Sequence, residues 1–124
     1  MKSTSNKKPQ VIEPLGNGAY YYNYNIEEKQ ETDPETKKET TVYYYDSVKV
    51  WDEPTYKKLV KAVIRETLNE TEEFSIINDY NAGVLGVITD KDTVERNTAS
   101  YKEYLNFVVE VKQQVKEDLQ KAGY

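Results

Sequence analysis

Three sets of residues in this chain have types and spacings that could support chemistry. The first is acidic. Asp90, Asp92 and Glu95 cluster, and Asp90-Lys91-Asp92 superficially resembles the start of a calcium loop. Such a loop needs an oxygen donor at its fifth position and a central Gly that turns the chain around the cation. The fifth position here is Val94 and the central Gly is absent, so the spacing fails and a solvated loop is the expectation. Acid pairs of the glycosidase kind remain open on spacing alone, with nothing pointing to a cleft between them. The second set is nucleophilic. Ser3, Ser5, Ser47, Ser75 and Ser100 lie in neither a Gly-x-Ser-x-Gly elbow nor a Ser-x-x-Lys motif. The third set is aromatic: Tyr21, Tyr43, Tyr45 and Trp51, which recur at strand spacing.

Composition narrows this further. The chain has 124 residues, 12 of them Tyr, and no Cys or His. Without Cys there is no disulfide, thiolate metal site or thiol nucleophile. Without His the commonest general base and metal ligand are gone. The expectation is a protein with no catalytic residue set, no metal and no cofactor. Gly16-Asn17-Gly18 is half of a phosphate loop at most, with no strand before it and no helix after it. The net charge of −5 offers no electrostatic footprint for nucleic acid or an anionic membrane, so neither is expected as a partner. There is no long apolar run, and the start Met1-Lys2-Ser3-Thr4-Ser5-Asn6-Lys7-Lys8-Pro9 lacks the apolar segment of a secretory signal peptide. Leu, Ile, Val and Phe make up only about a fifth of the chain, near the limit for a folded domain. Tyr rings must therefore fill part of the core.

The elements that would position these residues follow from periodicity. Residues 1–18 read as a flexible, basic N-terminal arm. An α+β domain is expected over 19–97. In 19–28, Tyr20, Tyr22, Tyr24 and Ile26 share one strand face, while Tyr21, Asn23 and Asn25 share the other. A polar loop follows, centred on Asp33-Pro34. In 40–51, Val42, Tyr44, Val48 and Val50 share a parity interrupted by Asp46, and Thr41, Tyr43, Tyr45, Ser47, Lys49 and Trp51 share the other. This predicts a two-stranded, Tyr-rich antiparallel hairpin over 19–51.

Asp52-Glu53-Pro54 is a helix-start signal. An amphipathic helix over about 54–68 should bury Tyr56, Leu59, Val60, Val63, Ile64 and Thr67. Asn69 with Glu72 is a capping signature for a second helix over about 70–80, burying Phe74, Ile77 and part of Ile76. A connector spans 83–97, with an apolar patch at Val84, Leu85, Val87 and Ile88. A long C-terminal helix over 98–122 carries the stripe Tyr101, Tyr104, Leu105, Val108, Val111, Lys112, Val115 and Leu119. Its distal half either packs within the molecule or makes a coiled-coil contact with another copy or a partner. The fold expected is a hairpin packed with two or three helices, the last one long, because a lone hairpin is marginal in water.

The aromatic face then has three readings. Tyr21, Tyr43, Tyr45 and Trp51 could be covered internally, could present a protein-recognition face, or could stack on a carbohydrate. With Val111, Val115 and Leu119 of the distal helix, they form the candidate interaction face.

The order of features resembles small proteins encoded among the structural genes of phages and prophages of gut Bacteroidales. The residues that carry the likeness are Tyr20 to Ile26, Tyr45-Asp46-Ser47-Val48, Pro54-Thr55-Tyr56, Ile76 to Asn81, Leu85-Gly86 and Tyr101 to Leu105. The resemblance covers about residues 12–120 and its motifs are structural, so no residue role carries over. It implies a virion or assembly setting, such as a small tail- or head-associated component. Location would be the bacterial cytoplasm during assembly and the virion afterwards. Protein partners and self-association are the expected interactions; a small ligand- or carbohydrate-binding module is the alternative.

Overall fold

The computed structural model describes residues 2–124. It is an α+β protein with a four-stranded antiparallel sheet and three helices. Strand β1 is Lys2–Ser5, β2 is Ile12–Pro14, β3 is Ala19–Thr32 and β4 is Glu39–Trp51. Helix α1 is Tyr56–Thr67, α2 is Glu70–Val84 and α3 is Lys91–Ala122. The contacts group into two units. One holds the residues up to Ala62 together with Val115–Tyr124, and the other holds Val63–Gln114.

In the first unit the expected hairpin is present as β3 and β4, but it is not alone. The strand order is β1-β4-β3-β2, so the segment expected as a flexible arm supplies both edges. Lys2–Ser5 pairs with Asp46 to Tyr43, and Ile12–Pro14 pairs with Tyr22 to Tyr20. The physical reason is unsatisfied edge backbone. A bare hairpin leaves two rows of N–H and C=O groups open, and even polar chain can pair with them. The turn between β3 and β4 is also tighter than its polar composition suggests, closing at Asp33 to Lys38.

Tyr20 pairs with Val50, Tyr22 with Val48 and Tyr24 with Asp46, so the expected even-numbered faces coincide. Tyr22 and Tyr24 stack with ring centroids 4.9 Å apart. Beyond Tyr24 the register shifts, and Glu27 pairs with Tyr44. Asn25 and Ile26 together oppose Tyr45 in a β-bulge, with Asn25 at φ 52°. Asn tolerates that left-handed backbone better than most residues. A one-residue insertion flips side-chain parity. From there on, Glu27, Lys29 and Glu31 share a face with Tyr44. The Lys29 ammonium lies 5.1 Å from the Tyr44 ring centroid, and the Tyr44 hydroxyl donates to Glu31. Asp46, the break in the hydrophobic alternation, accepts from Asn25 Nδ2 at 2.9 Å and pairs with Lys2 Nζ at 3.2 Å.

The core of this unit is Tyr22, Tyr24, Val48, Val50, Leu59, Val60, Val115 and Leu119, all buried. Helix α1 starts later than Pro54, with the Thr55 hydroxyl accepting from the Lys58 N–H at 3.4 Å. Asp52 sits instead in the preceding turn at φ 64°.

In the second unit Val63, Ile64 and Val111 are buried. The expected cap of α2 is present as a reciprocal box: Asn69 Oδ1 accepts from the Glu72 N–H at 2.8 Å, and Glu72 Oε1 accepts from the Asn69 N–H at 3.5 Å. Helix α2 runs on to Val84, past Asn81-Ala82-Gly83. Helix α3 starts at Lys91, seven residues before the expected Thr98. Its start is set by Asp90, whose Oδ2 accepts from the Thr93 N–H at 3.0 Å and the Thr93 hydroxyl at 2.6 Å. The connector thus shrinks to Leu85–Asp90.

Candidate interaction surface

The second face of the hairpin has a partial cover made by the chain itself. Asn23 and Ser47 are cross-strand partners on that face, and both are buried. Ser47 Oγ donates to Asn23 Oδ1 at 2.9 Å, and Asn23 Nδ2 donates to the Gln10 carbonyl at 2.8 Å. The backbone carbonyl of Val11 accepts from the Asn23 N–H at 2.8 Å. The segment between β1 and β2 therefore lies against the Asn23–Ser47 pair and satisfies its polar atoms. Tyr21, Tyr43 and Tyr45 on the same face are half-buried, and only Trp51 is largely open, at 56 % exposure. Lys49 Nζ sits 4.6 Å from the Trp51 ring centroid, which occupies one ring face with a cation.

The distal-helix part of the expected interaction face is a correction. Val111, Val115 and Leu119 are buried in the monomer. Their 4-residue spacing is that of a core stripe, which intramolecular packing satisfies without a second copy. A cleft of about 450 Å³ opens beside Leu119, lined also by Tyr56, Lys116, Gln120 and Tyr124.

Further open apolar surface lies in the second unit. No residue of α2 is fully buried: Phe74 is exposed and Ile77 only half-buried, against expectation, while Ile76 is half-buried as expected. Phe74 is 56 % exposed, Val109 is 64 % and Leu105 is also exposed. Leu105 and Val109 are one helical turn apart on α3 and share a face. Phe74 stands beside Glu73, whose carboxylate accepts from Tyr104, the neighbour of Leu105. Phe74 on α2 and Leu105 and Val109 on α3 are thus open apolar side chains on the two helices that Glu73 and Tyr104 join. Val84, Leu85 and Val87 extend open apolar surface to the α2–α3 turn. The sequence marks these residues as an apolar patch, and the structure leaves Val84, Leu85 and Val87 open.

A polar network holds this pair of helices together. Tyr104 Oη donates to Glu73 Oε2 at 2.6 Å, and Arg65 Nη2 donates to Glu73 Oε1 at 2.9 Å. Tyr80 stacks on Tyr101 at 4.2 Å between centroids. The Tyr104 bond, then the Arg65 bond, hold the Glu73 carboxyl below its ordinary range. Burial, then the Glu73 carboxylate, pushes the Tyr104 phenol up to about 12. Arg65 Nε has no hydrogen-bond partner, with Glu70 Oε1 3.8 Å away. These groups bond to each other across three helices rather than converging on a cavity, so they act as a clasp.

Asp90, Asp92 and Glu95 do not form a cation loop. Asp90 is committed to Thr93 as a helix cap, and that hydroxyl bond, then the backbone N–H, holds its carboxyl below the usual range. Among the described residues, no group of three or more Cys, His, Asp or Glu is placed to hold a metal. Nor is any helix among them long and apolar enough to cross a membrane. No family description, curated protein or solved structure matches this chain.

Proposed function

We propose that this chain is a non-enzymatic structural or assembly protein that works through protein–protein contact, in the phage or prophage setting its motifs resemble. The observation that carries the reading is the set of open apolar side chains on α2 and α3, Phe74, Leu105 and Val109, with Val84, Leu85 and Val87 also open at the α2–α3 turn. A small acidic chain that leaves this many large apolar side chains in water is built for a partner that removes them from it. Contacts of this kind need rigid anchors, and the Glu73 clasp supplies them by fixing α2 on α3. Of the chain's carboxylates, Glu72 and Asp90 serve as caps and Glu73 holds the clasp.

The carbohydrate alternative rests on Trp51. Its ring is open, but Lys49 covers one face and the neighbouring tyrosines are half-covered. A sugar platform needs a free ring face with aromatic neighbours, so the observation favours the protein-contact reading.

Mass spectrometry of purified particles or complexes containing this chain tests the proposal. The expected result is recovery with virion or assembly proteins, abolished by Phe74→Glu with Val109→Glu. A chain that stays free of every particle component, or recovery that the double variant leaves intact, overturns it.

A further inference from the structure

Strand β1 is weakly held. Its four residues, Lys2, Ser3, Thr4 and Ser5, are all polar and add nothing to the buried core. It stays in place through its backbone ladder on Tyr43 to Asp46 and the Lys2–Asp46 ion pair. That pair leaves the Lys2 side chain 86 % exposed, so screening by water makes it a weak anchor.

The segment that follows β1 is a hinge. Asn6, Lys7 and Lys8 are exposed, and the Lys7 N–H donates locally to Ser5 Oγ at 3.1 Å. Lys7 and Lys8 repel each other, and Pro9 pushes Lys8 toward extended backbone. Both features favour a straight hinge, yet the chain has to return from the outer edge of β4 to the outer edge of β3. Beyond the hinge the chain is anchored again: Gln10 and Val11 carbonyls accept from Asn23. The return is made by residues 6–9, and release of β1 leaves the Gln10 and Val11 bonds to Asn23 in place.

We infer that β1 is an exchangeable strand, and that the outer edge of β4, Tyr43 to Asp46, accepts the β1 strand of a second copy of this chain. The register, ladder and ion pair are identical within a chain and between chains, so exchange loses no contact. The preference of Lys8, which precedes Pro9, for extended backbone favours the exchanged form, in which residues 6–9 run straight. Short linkers give an effective concentration of roughly 1 mM, so exchange becomes prominent as the protein approaches that concentration. This inference does not rest on the open apolar side chains of α2 and α3.

The chain has no Cys, so single thiols can be placed cleanly. Ser3 and Tyr45 are paired residues of β1 and β4. Isotope-labelled Ser3→Cys chain is mixed with unlabelled Tyr45→Cys chain at about 1 mM, oxidised and weighed without reduction. The expected product is the unlike disulfide pair, well above its statistical share. Like and unlike pairs in statistical proportion overturn the inference. Sedimentation of the unmodified chain gives the second readout. The dimer fraction should rise toward about 1 mM, fall several-fold in Pro9→Gly, and stay unchanged in Leu105→Glu. A chain that is monomeric at that concentration overturns the inference. A dimer lost in Leu105→Glu and kept in Pro9→Gly overturns it too, and assigns association to the open apolar side chains of α2 and α3 instead.

Discussion

A buried tyrosine brings a large ring into the core together with a hydroxyl that needs a partner. Tyr22 is fully buried and gives its hydroxyl to Asp118 Oδ2 at 2.5 Å. Burial, then the Asp118 bond and charge, push its phenol far above the ordinary value, so it stays neutral. Tyr22→Phe keeps the ring and loses the bond, at a cost of about 1–3 kcal/mol by chemical denaturation. Tyr22→Ala also opens a ring-sized cavity and should cost about 3–5 kcal/mol. Equal effects of the two variants would show that the ring contributes little. Tyr104 and Glu73 add a pH dependence of known sign. The Glu73 carboxyl is depressed in the folded state. Its contribution is present above the unfolded value of 4.5 and is lost as pH falls through the lower folded value. The Tyr104 phenol is raised from 10.0 to about 12, so its contribution is full below pH 10 and lost as pH rises toward 12. Melting followed from pH 2 to pH 12 should show both losses, and Tyr104→Phe should reduce the alkaline one, the raised Tyr22 phenol supplying the remainder. An alkaline slope unchanged in Tyr104→Phe would assign it to another group.

At the scale of elements, the caps decide where helices begin. Asn69→Ala removes one half of the α2 capping box and should destabilise by about 1 kcal/mol, with faster amide exchange at Glu72 and its neighbours. Unchanged exchange there would mean that α2 is held by the clasp alone. This cap was legible in the sequence, because Asn69 and Glu72 carry the pattern in adjacent residues. The start of α3 was less so: Asp90 looked like part of an acidic cluster, and its role as a cap becomes clear only with Thr93 bonded to it. The hairpin faces were legible from alternation up to Tyr24. The bulge beyond it was not, since Asn25 carries no local pattern that demands a left-handed backbone. The edge strands were the least legible. Lys2–Ser5 has one β-favouring residue, Thr4, and no apolar face, and its pairing comes from the open edge of β4, which is distant in sequence. Of the expected interaction face, Trp51 is open and Tyr21, Tyr43 and Tyr45 are half-covered, while Val111, Val115 and Leu119 are core. Periodicity marks an apolar stripe, but it does not say whether the chain itself or a partner covers it.

At the scale of the whole molecule, the tyrosines and the aliphatic residues divide the work unevenly. In the sheet unit, rings of Tyr22 and Tyr24 complete a core that Val48, Val50, Leu59 and Val115 alone would leave thin. In the helical unit, three tyrosines, Tyr80, Tyr101 and Tyr104, stack or bond between α2 and α3, and the aliphatic residues beside them stay in water. The consequence can be measured without knowing the partner. If Phe74, Leu105 and Val109 are a contact surface rather than part of the folding core, charged substitutions there should leave stability nearly unchanged while removing association with the protein partner. Phe74→Glu with Val109→Glu should shift the melting midpoint by no more than surface substitutions do, within about 0.5 kcal/mol. It should also bind far less of a hydrophobic fluorescent dye than the unmodified chain. Val63→Ala, a core truncation in the same unit, is the contrast: it should cost a few kcal/mol and leave dye binding in the native state intact. A double variant that unfolds as readily as Val63→Ala would place Phe74 and Val109 in the folding core, and the protein-contact reading of these residues would fall with it.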